Sequence, residues 1–273
     1  MGHAPRPSVT GVDSHAHVFE PGLSLVADRR YSPDYPASVD SYLAHLDRAG
    51  LSHGVLIQPS FLGTDNSFML DSLRAHPQRL RGVAVVDPDV TDSTLDELDA
   101  AGVVGIRLNL VGKSPMGYAG AQWRQLFKRV AARRWQIEIQ RHIEDLSDVM
   151  GVVLPSGAEV VIDHFGLPAG MPAEPRNGHR AFLERLASGQ VWVKLSAAYR
   201  SDLTLEQAGQ WLEGMLRAGL PEERLLWGSD WPHTRHESQQ SYQGQWQLLE
   251  GLIVDPSLRR RVLIDNPREV FRL

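Results

Sequence analysis

No cysteine occurs among the 273 residues. Disulfides, thiolate nucleophiles and cysteine-ligated zinc are thereby excluded, and the composition suits a reducing compartment. Long hydrophobic runs are missing too. No stretch approaches the ~18 consecutive apolar residues of a membrane span. Basic charge is not in excess, because 28 Lys and Arg face 33 Asp and Glu for a net charge of −5. That balance argues against a nucleic-acid surface, which needs a basic patch. The segment 1–8 holds prolines and no apolar stretch. It is expected to form a disordered or extended tail rather than a signal peptide, and the expected location is cytoplasmic. No G-x-G-x-x-G follows the first apolar run, no internal repeat recurs, and no linker divides the chain. What is present is 42% hydrophobic and 22% charged, the balance of a globular enzyme.

Eight short apolar runs organise that remainder. The first leads into Val12-Asp13-Ser14-His15-Ala16-His17. The others are His53–Gln58, Leu80–Val86, Val103–Leu108, Trp135–Gln140, Glu159–Asp163, Val191–Leu195 and Arg224–Trp227. Between them lie helical patterns, such as Ala121–Arg134 with Leu126, Val130 and Ala131 on one face. Start signals stand at Ser38 or Asp40, at Thr91 or Asp92, and at Thr204, where Gln207 completes a capping box. Runs apolar on both faces belong to a parallel sheet. Alternation with helices gives an α/β fold, and eight strands argue for closure into one (β/α)8 TIM barrel over 1–273. An open, doubly wound sheet is the alternative, without its dinucleotide fingerprint. Two irregular stretches stand out. Glu20–Ala37 is polar and proline-bearing, the kind of long loop that serves as a lid or binding loop, and a second proline-rich loop includes Met171, Pro172 and Pro175.

In barrel enzymes chemistry sits at the C-terminal ends of the strands. Side chains alternate along a strand, so His15 and His17 share a face. Two converging imidazoles suit a metal, a polarised carbonyl or a water. Later strand ends offer Gln58 and Ser60, Asp87, Arg107 and Asn109, Gln140, His164, Ser196 and Arg200, and Asp230. Asp87 before Pro88 reads as a turn residue. Asp163 either points into the barrel wall or orients a neighbouring ligand. His15, His17, His164 and Asp230 come from three separated strand ends and converge if the barrel closes.

The segments Asp13-Ser14-His15-Ala16-His17, Val161-Ile162-Asp163-His164-Phe165-Gly166 and Trp227-Gly228-Ser229-Asp230-Trp231-Pro232-His233 resemble the amidohydrolase superfamily (amidohydrolase 2 type). Within it they are similar to the branch containing 2-pyrone-4,6-dicarboxylate lactonase, and the likeness extends from Val12 to Asn266-Pro267. The resemblance implies a catalytic cluster of His15, His17, His164 and Asp230. It implies substrate carboxylates held by Arg107 and Arg200, with Lys113 at a third cationic place that holds arginine in the strict dicarboxylate lactonase, and with Ser60 touching substrate. Arg binds carboxylates through a planar fork and Lys as a point charge. Arg107 has a competing reading as a salt bridge to Asp87 or Glu138.

The departures bear on cofactors. Binuclear relatives carry Lys or Glu where Arg107 stands, and many mononuclear ones carry His where Gln140 stands. The lactonase branch includes members that work without metal, so none is expected to be required. If zinc or manganese were bound, the ligands would be His15, His17, His164 and Asp230. The expected activity is hydrolysis of an anionic, carboxylated lactone, with Asp230 activating water and the histidines polarising the carbonyl. The alternatives are a metal-dependent decarboxylase or amide hydrolase of the same superfamily, or a non-catalytic binder of small acids. No nucleic-acid or membrane partner is expected, and a homo-oligomer is left open.

Overall fold

The computed structural model describes residues 8–170 and 176–273. The expected tail, up to residue 7, and Met171, Pro172 and Pro175 lie outside the described residues. Eight parallel strands run in the order β1 to β8: Val12–Ala16, His53–Ile57, Leu80–Ala84, Val103–Asn109, Gln136–Gln140, Val160–Ile162, Val191–Leu195 and Leu225–Trp227. Each is followed by a helix: α1 Val39–Ala49, α2 Ser67–Ala75, α3 Asp92–Ala100, α4 Ala121–Ala132, α5 Ile143–Val153, α6 Asn177–Leu186, α7 Leu205–Arg217 and α8 Tyr242–Leu252. The expected (β/α)8 barrel is therefore present. Ser38, Thr91 and Thr204 cap their helices as read, and Thr204 and Gln207 form both bonds of the capping box. Asn66 precedes α2 but does not cap it. Its amide instead bonds Thr64 O, Val85 O and Val85 N, tying the end of β3 to the loop after β2.

The ring closes between β8 and β1 just above the strands. Asp230 N donates to His15 O at 2.8 Å, His17 N donates to Trp231 O at 2.8 Å, and Ala16 bridges Trp231. Beneath this seam the buried Asp13 carboxylate accepts Ser229 N at 2.9 Å and Ser229 Oγ at 2.6 Å. Gly228 makes the approach possible, since a Cβ there would lie 2.5 Å from His15 Cβ.

Alternation along the strands then sorts the interior. On β5 (Gln-Ile-Glu-Ile-Gln), Ile137 and Ile139 pack outward against the helices. The floor of the barrel is Val12, Val55, Ile57, Val83, Val104, Val161, Trp192 and Leu226, plugged by Val270 and Phe271. Above that floor lies a charged layer of Arg107, Glu138, Asp163 and Lys194, each 4% exposed or less. Strands that read as almost wholly apolar thus carry ions inward.

Candidate active site

The histidines and Asp230 stand directly on the charged layer. Asp230 Oδ1 is 3.6 Å from His15 Nε2, 3.6 Å from His17 Nε2 and 3.9 Å from His164 Nε2. All four expected catalytic residues therefore face one point. His164 and Asp230 reach it from left-handed backbone, at φ 52° and 58°. Such a conformation costs a non-glycine residue of order 1 kcal/mol or more and is concentrated at functional sites. His15 Nε2, His164 Nε2 and Asp230 Oδ1 are buried without a hydrogen-bond partner among the described residues. Buried polar atoms are normally satisfied, so this point is shaped for something that bonds all three.

The outer side of each group fixes what it presents. Asp230 Oδ2 accepts Tyr199 OH at 2.5 Å and Arg200 Nε at 2.7 Å. Against the cost of burial, Arg200 foremost and then His164 hold its carboxyl well below the usual range, so it is ionised. Burial lowers the pKa of all three histidines, that of His164 to about 4, and leaves the rings neutral. His17 Nδ1 lies 2.7 Å from Ile57 O. A carbonyl only accepts, so Nδ1 carries the proton and Nε2 offers a lone pair. His164 Nδ1 pairs with Ser196 Oγ at 2.8 Å. His15 differs from His17, because Lys194 Nζ donates to its Nδ1 at 3.1 Å. That leaves the His15 proton on Nε2, pointing at the shared centre. Asp163 Oδ1 also approaches His15 Nδ1, at 3.2 Å, but has no aligned hydrogen bond.

The same groups can be tested against a divalent ion. Ligand atoms about 2 Å from tetrahedral zinc are about 3.4 Å apart, and His15, His17 and Asp230 are close to that spacing. A metal ligand needs its lone pair, however, and His15 Nε2 bears a proton while Lys194 donates from behind. The distances fit a metal, and the hydrogen bonding of His15 does not.

The cations are placed around this centre in two groups. An open cleft of about 530 Å³ is lined by His17, Arg30, Tyr31, Ser60, Arg107, Gln140, Arg200, Asp230 and Arg235, among others. Arg107, Arg200 and Ser60 are thus brought to the histidines. Arg107 also donates Nε and Nη2 to Asp163 Oδ2, at 3.1 and 2.8 Å, and its Nε lies 3.6 Å from Glu138 Oε1. Of its two expected salt-bridge partners, Glu138 is near, whereas Asp163 is the acid that it bonds. Lys113 does not line this cleft. It sits in the adjoining depression with Asn109 and Tyr118 and pairs with Asp28 at 3.5 Å.

Residues missed in the sequence include Lys194, joined to Glu138 at 2.5 Å beneath His15, and Arg30 and Arg235. A lysine inside an apolar five-residue strand is itself unusual, and Lys194 has the same parity as Ser196 at that strand's end. Arg30 and Arg235 sit on loops that carry no periodic signal. The loop 20–37 brings Arg30 and Tyr31 to the cleft. It is closed at its base by the pair Phe19–Ala37. It is tied across the cleft by Tyr31 OH and Tyr35 OH, which donate to Glu237 Oε1 at 2.5 and 2.6 Å.

Comparison with known proteins adds to this geometry. A family model described as amidohydrolase matches residues 12–273. The chain is 28% identical to a 2-pyrone-4,6-dicarboxylate hydrolase of Comamonas testosteroni, over 95% of this chain and 89% of that one. It is also 28% identical to a 4-sulfomuconolactone hydrolase of Rhizobium radiobacter, with the same coverage. A solved structure from Pseudomonas putida, provisionally assigned as a 2-pyrone-4,6-dicarboxylic acid hydrolase, superposes with a TM-score of 0.90 at 42% identity. It covers 97% of this chain and 98% of that one.

Proposed function

We propose that this chain, which belongs to the amidohydrolase family, hydrolyses the ring ester of a lactone bearing carboxylates, of the 2-pyrone-4,6-dicarboxylate type. The observation that carries this reading is the charge of the cleft above the histidines. Arg107 is matched by Asp163 and Arg200 by Asp230. No acidic partner is found for Arg30 or Arg235 among the described residues. Burial, and then repulsion from Arg107, Arg235 and Arg200, lowers the pKa of Arg30. An anionic ligand relieves that repulsion, and guanidinium forks match carboxylates bidentately. The names of the relatives, two lactone hydrolases with anionic substrates, agree with this chemistry.

In the proposed reaction the arginines hold a substrate carboxylate and so aim the ester carbonyl at the centre. A water sits where it can donate to Asp230 Oδ1 and to the His17 Nε2 lone pair. Asp230 takes its proton as the oxygen attacks the carbonyl carbon. His15 Nε2–H donates to the oxyanion that forms, a contact typically worth ~3 kcal/mol, and His164 supports it on the tautomer in which Ser196 donates to Nδ1. Collapse breaks the bond to the ring oxygen, which receives the proton from Asp230. The product is a carboxylic acid, which releases the remaining water proton to solvent and ionises, and a hydroxyl or enol on one opened chain. This division of labour refines the expectation that all three histidines polarise the carbonyl, because a neutral His17 has no proton to offer there.

A panel of carboxylated and uncharged lactones, assayed with and without chelator, tests the reading. Turnover of the carboxylated members is expected. Asp230→Asn should lower kcat by at least about 10³-fold while substrate still binds. Activity retained in that variant, or a preference for uncharged lactones, would refute the assignment.

A further inference from the structure

We infer that Lys194 is a positioning residue that sets the tautomer of His15, making it a hydrogen-bond donor to the reaction centre and denying the site a metal ligand. The inference rests on the hydrolytic reading only for its kinetic consequence. Its structural part stands on the placement of the lysine.

Lys194 is wholly buried on β7, and its ammonium can only donate. Nζ lies 2.5 Å from Glu138 Oε2, 3.1 Å from His15 Nδ1 and 3.6 Å from Asp163 Oδ1. Three acceptors therefore surround three protons. While one proton points at His15 Nδ1, that nitrogen must keep its lone pair, and the imidazole proton must reside on Nε2. Nε2 is the atom that faces Asp230 Oδ1.

The opposite arrangement is already built in. Asp163 Oδ1, 3.2 Å from Nδ1, is buried and makes no hydrogen bond among the described residues. Without the lysine it could accept a proton from Nδ1. That would create a carboxylate–histidine pair of the kind that orients metal-binding imidazoles. His15 Nε2 would then turn a lone pair toward the centre, beside those of His17 Nε2 and Asp230 Oδ1, and the spacing that already suits a divalent ion would gain a matching donor set. One side chain thus separates an oxyanion donor from a zinc ligand.

The test uses the intact protein and two variants, Lys194→Met and the double variant Lys194→Met/Glu138→Gln. The second removes both charges of the buried pair, so that folding does not depend on an orphaned acid. Each is incubated with zinc chloride, desalted and analysed for metal, and 15N spectra report which His15 nitrogen is protonated. Wild type is expected to show His15 protonated on Nε2 and to retain little zinc. The double variant is expected to move the proton to Nδ1 and to retain about one zinc per chain. Its metal-free kcat should fall at least about tenfold, with KM changed less.

A wild-type His15 protonated on Nδ1 would overturn the inference. So would a folded double variant with an unchanged tautomer or no gain in zinc retention, or stoichiometric zinc on the wild type. If no lactone is turned over by any form, the hydrolytic reading fails, while the metal and spectral results still decide the role of Lys194.

Discussion

Asp230 splits two tasks between its carboxylate oxygens. Oδ2 is held by Tyr199 and Arg200, and Oδ1 alone faces the histidines. Arg200 therefore both lines the cleft and depresses the basicity of the residue that must take a proton. Arg200→Gln is expected to raise the pKa of Asp230, so the acid limb of the pH–rate profile should move up by about one unit or more. Its kcat/KM for carboxylated lactones should fall at least about tenfold. An acid limb that stays in place would separate Arg200 from Asp230 functionally. At this scale the sequence was legible where a polar residue interrupts the end of an apolar strand, which is why His15, His17, His164 and Asp230 were found together. It was illegible for proton placement. That His17 donates to Ile57 O while His15 accepts from Lys194 depends on neighbours 40 and 179 residues away, which no local pattern reports.

Among the elements, the strands and helix caps were readable because hydrophobic period and capping chemistry are local. The loop 20–37 was readable only as long and irregular. Its cross-cleft tie comes from a single acceptor, Glu237 Oε1, which also receives Arg235 N at 2.9 Å. That oxygen therefore sets the position of Arg235 as well as the loop, and with them two cations of the cleft. Lys113 shows the limit of arguing from a place in a pattern. It occupies the loop after β4, yet its ion pair with Asp28 turns it toward the loop 20–37 rather than the histidines. Glu237→Ala removes three hydrogen bonds, each worth about 1 kcal/mol at most on this exposed surface. It should raise KM several-fold, change kcat less, and speed proteolysis within 20–37. Unchanged KM and unchanged cleavage would show that the tie does not position the loop.

For the molecule as a whole, burial of neutral histidines couples stability to pH. His164 and His233 are pushed down to about 4 by burial, from 6.5. The folded chain binds fewer protons than the unfolded chain between those values. Stability is therefore lost as pH falls from about 6.5 to about 4, by up to about 3 kcal/mol for each histidine. Asp13 acts in the opposite sense. Burial pushes it up from 3.8 to about 6, so it withdraws stability as pH rises through that interval, and two histidines outweigh one such acid. The melting temperature should drop on acidification from pH 7 to 4.5, and His233→Asn should flatten the slope. A melting temperature independent of pH across that range would contradict the argument. The seam between β1 and β8 carries one more consequence, in time rather than in space. Asp13 and Ser229 are 216 residues apart, a contact of high sequence separation whose loop entropy must be spent before it is rewarded. His15 and Asp230 meet only across that seam. Chains whose ring has not joined hold His15 and His17 apart from Asp230, so recovery of activity marks the moment at which the ring joins, later than any signal of helix content.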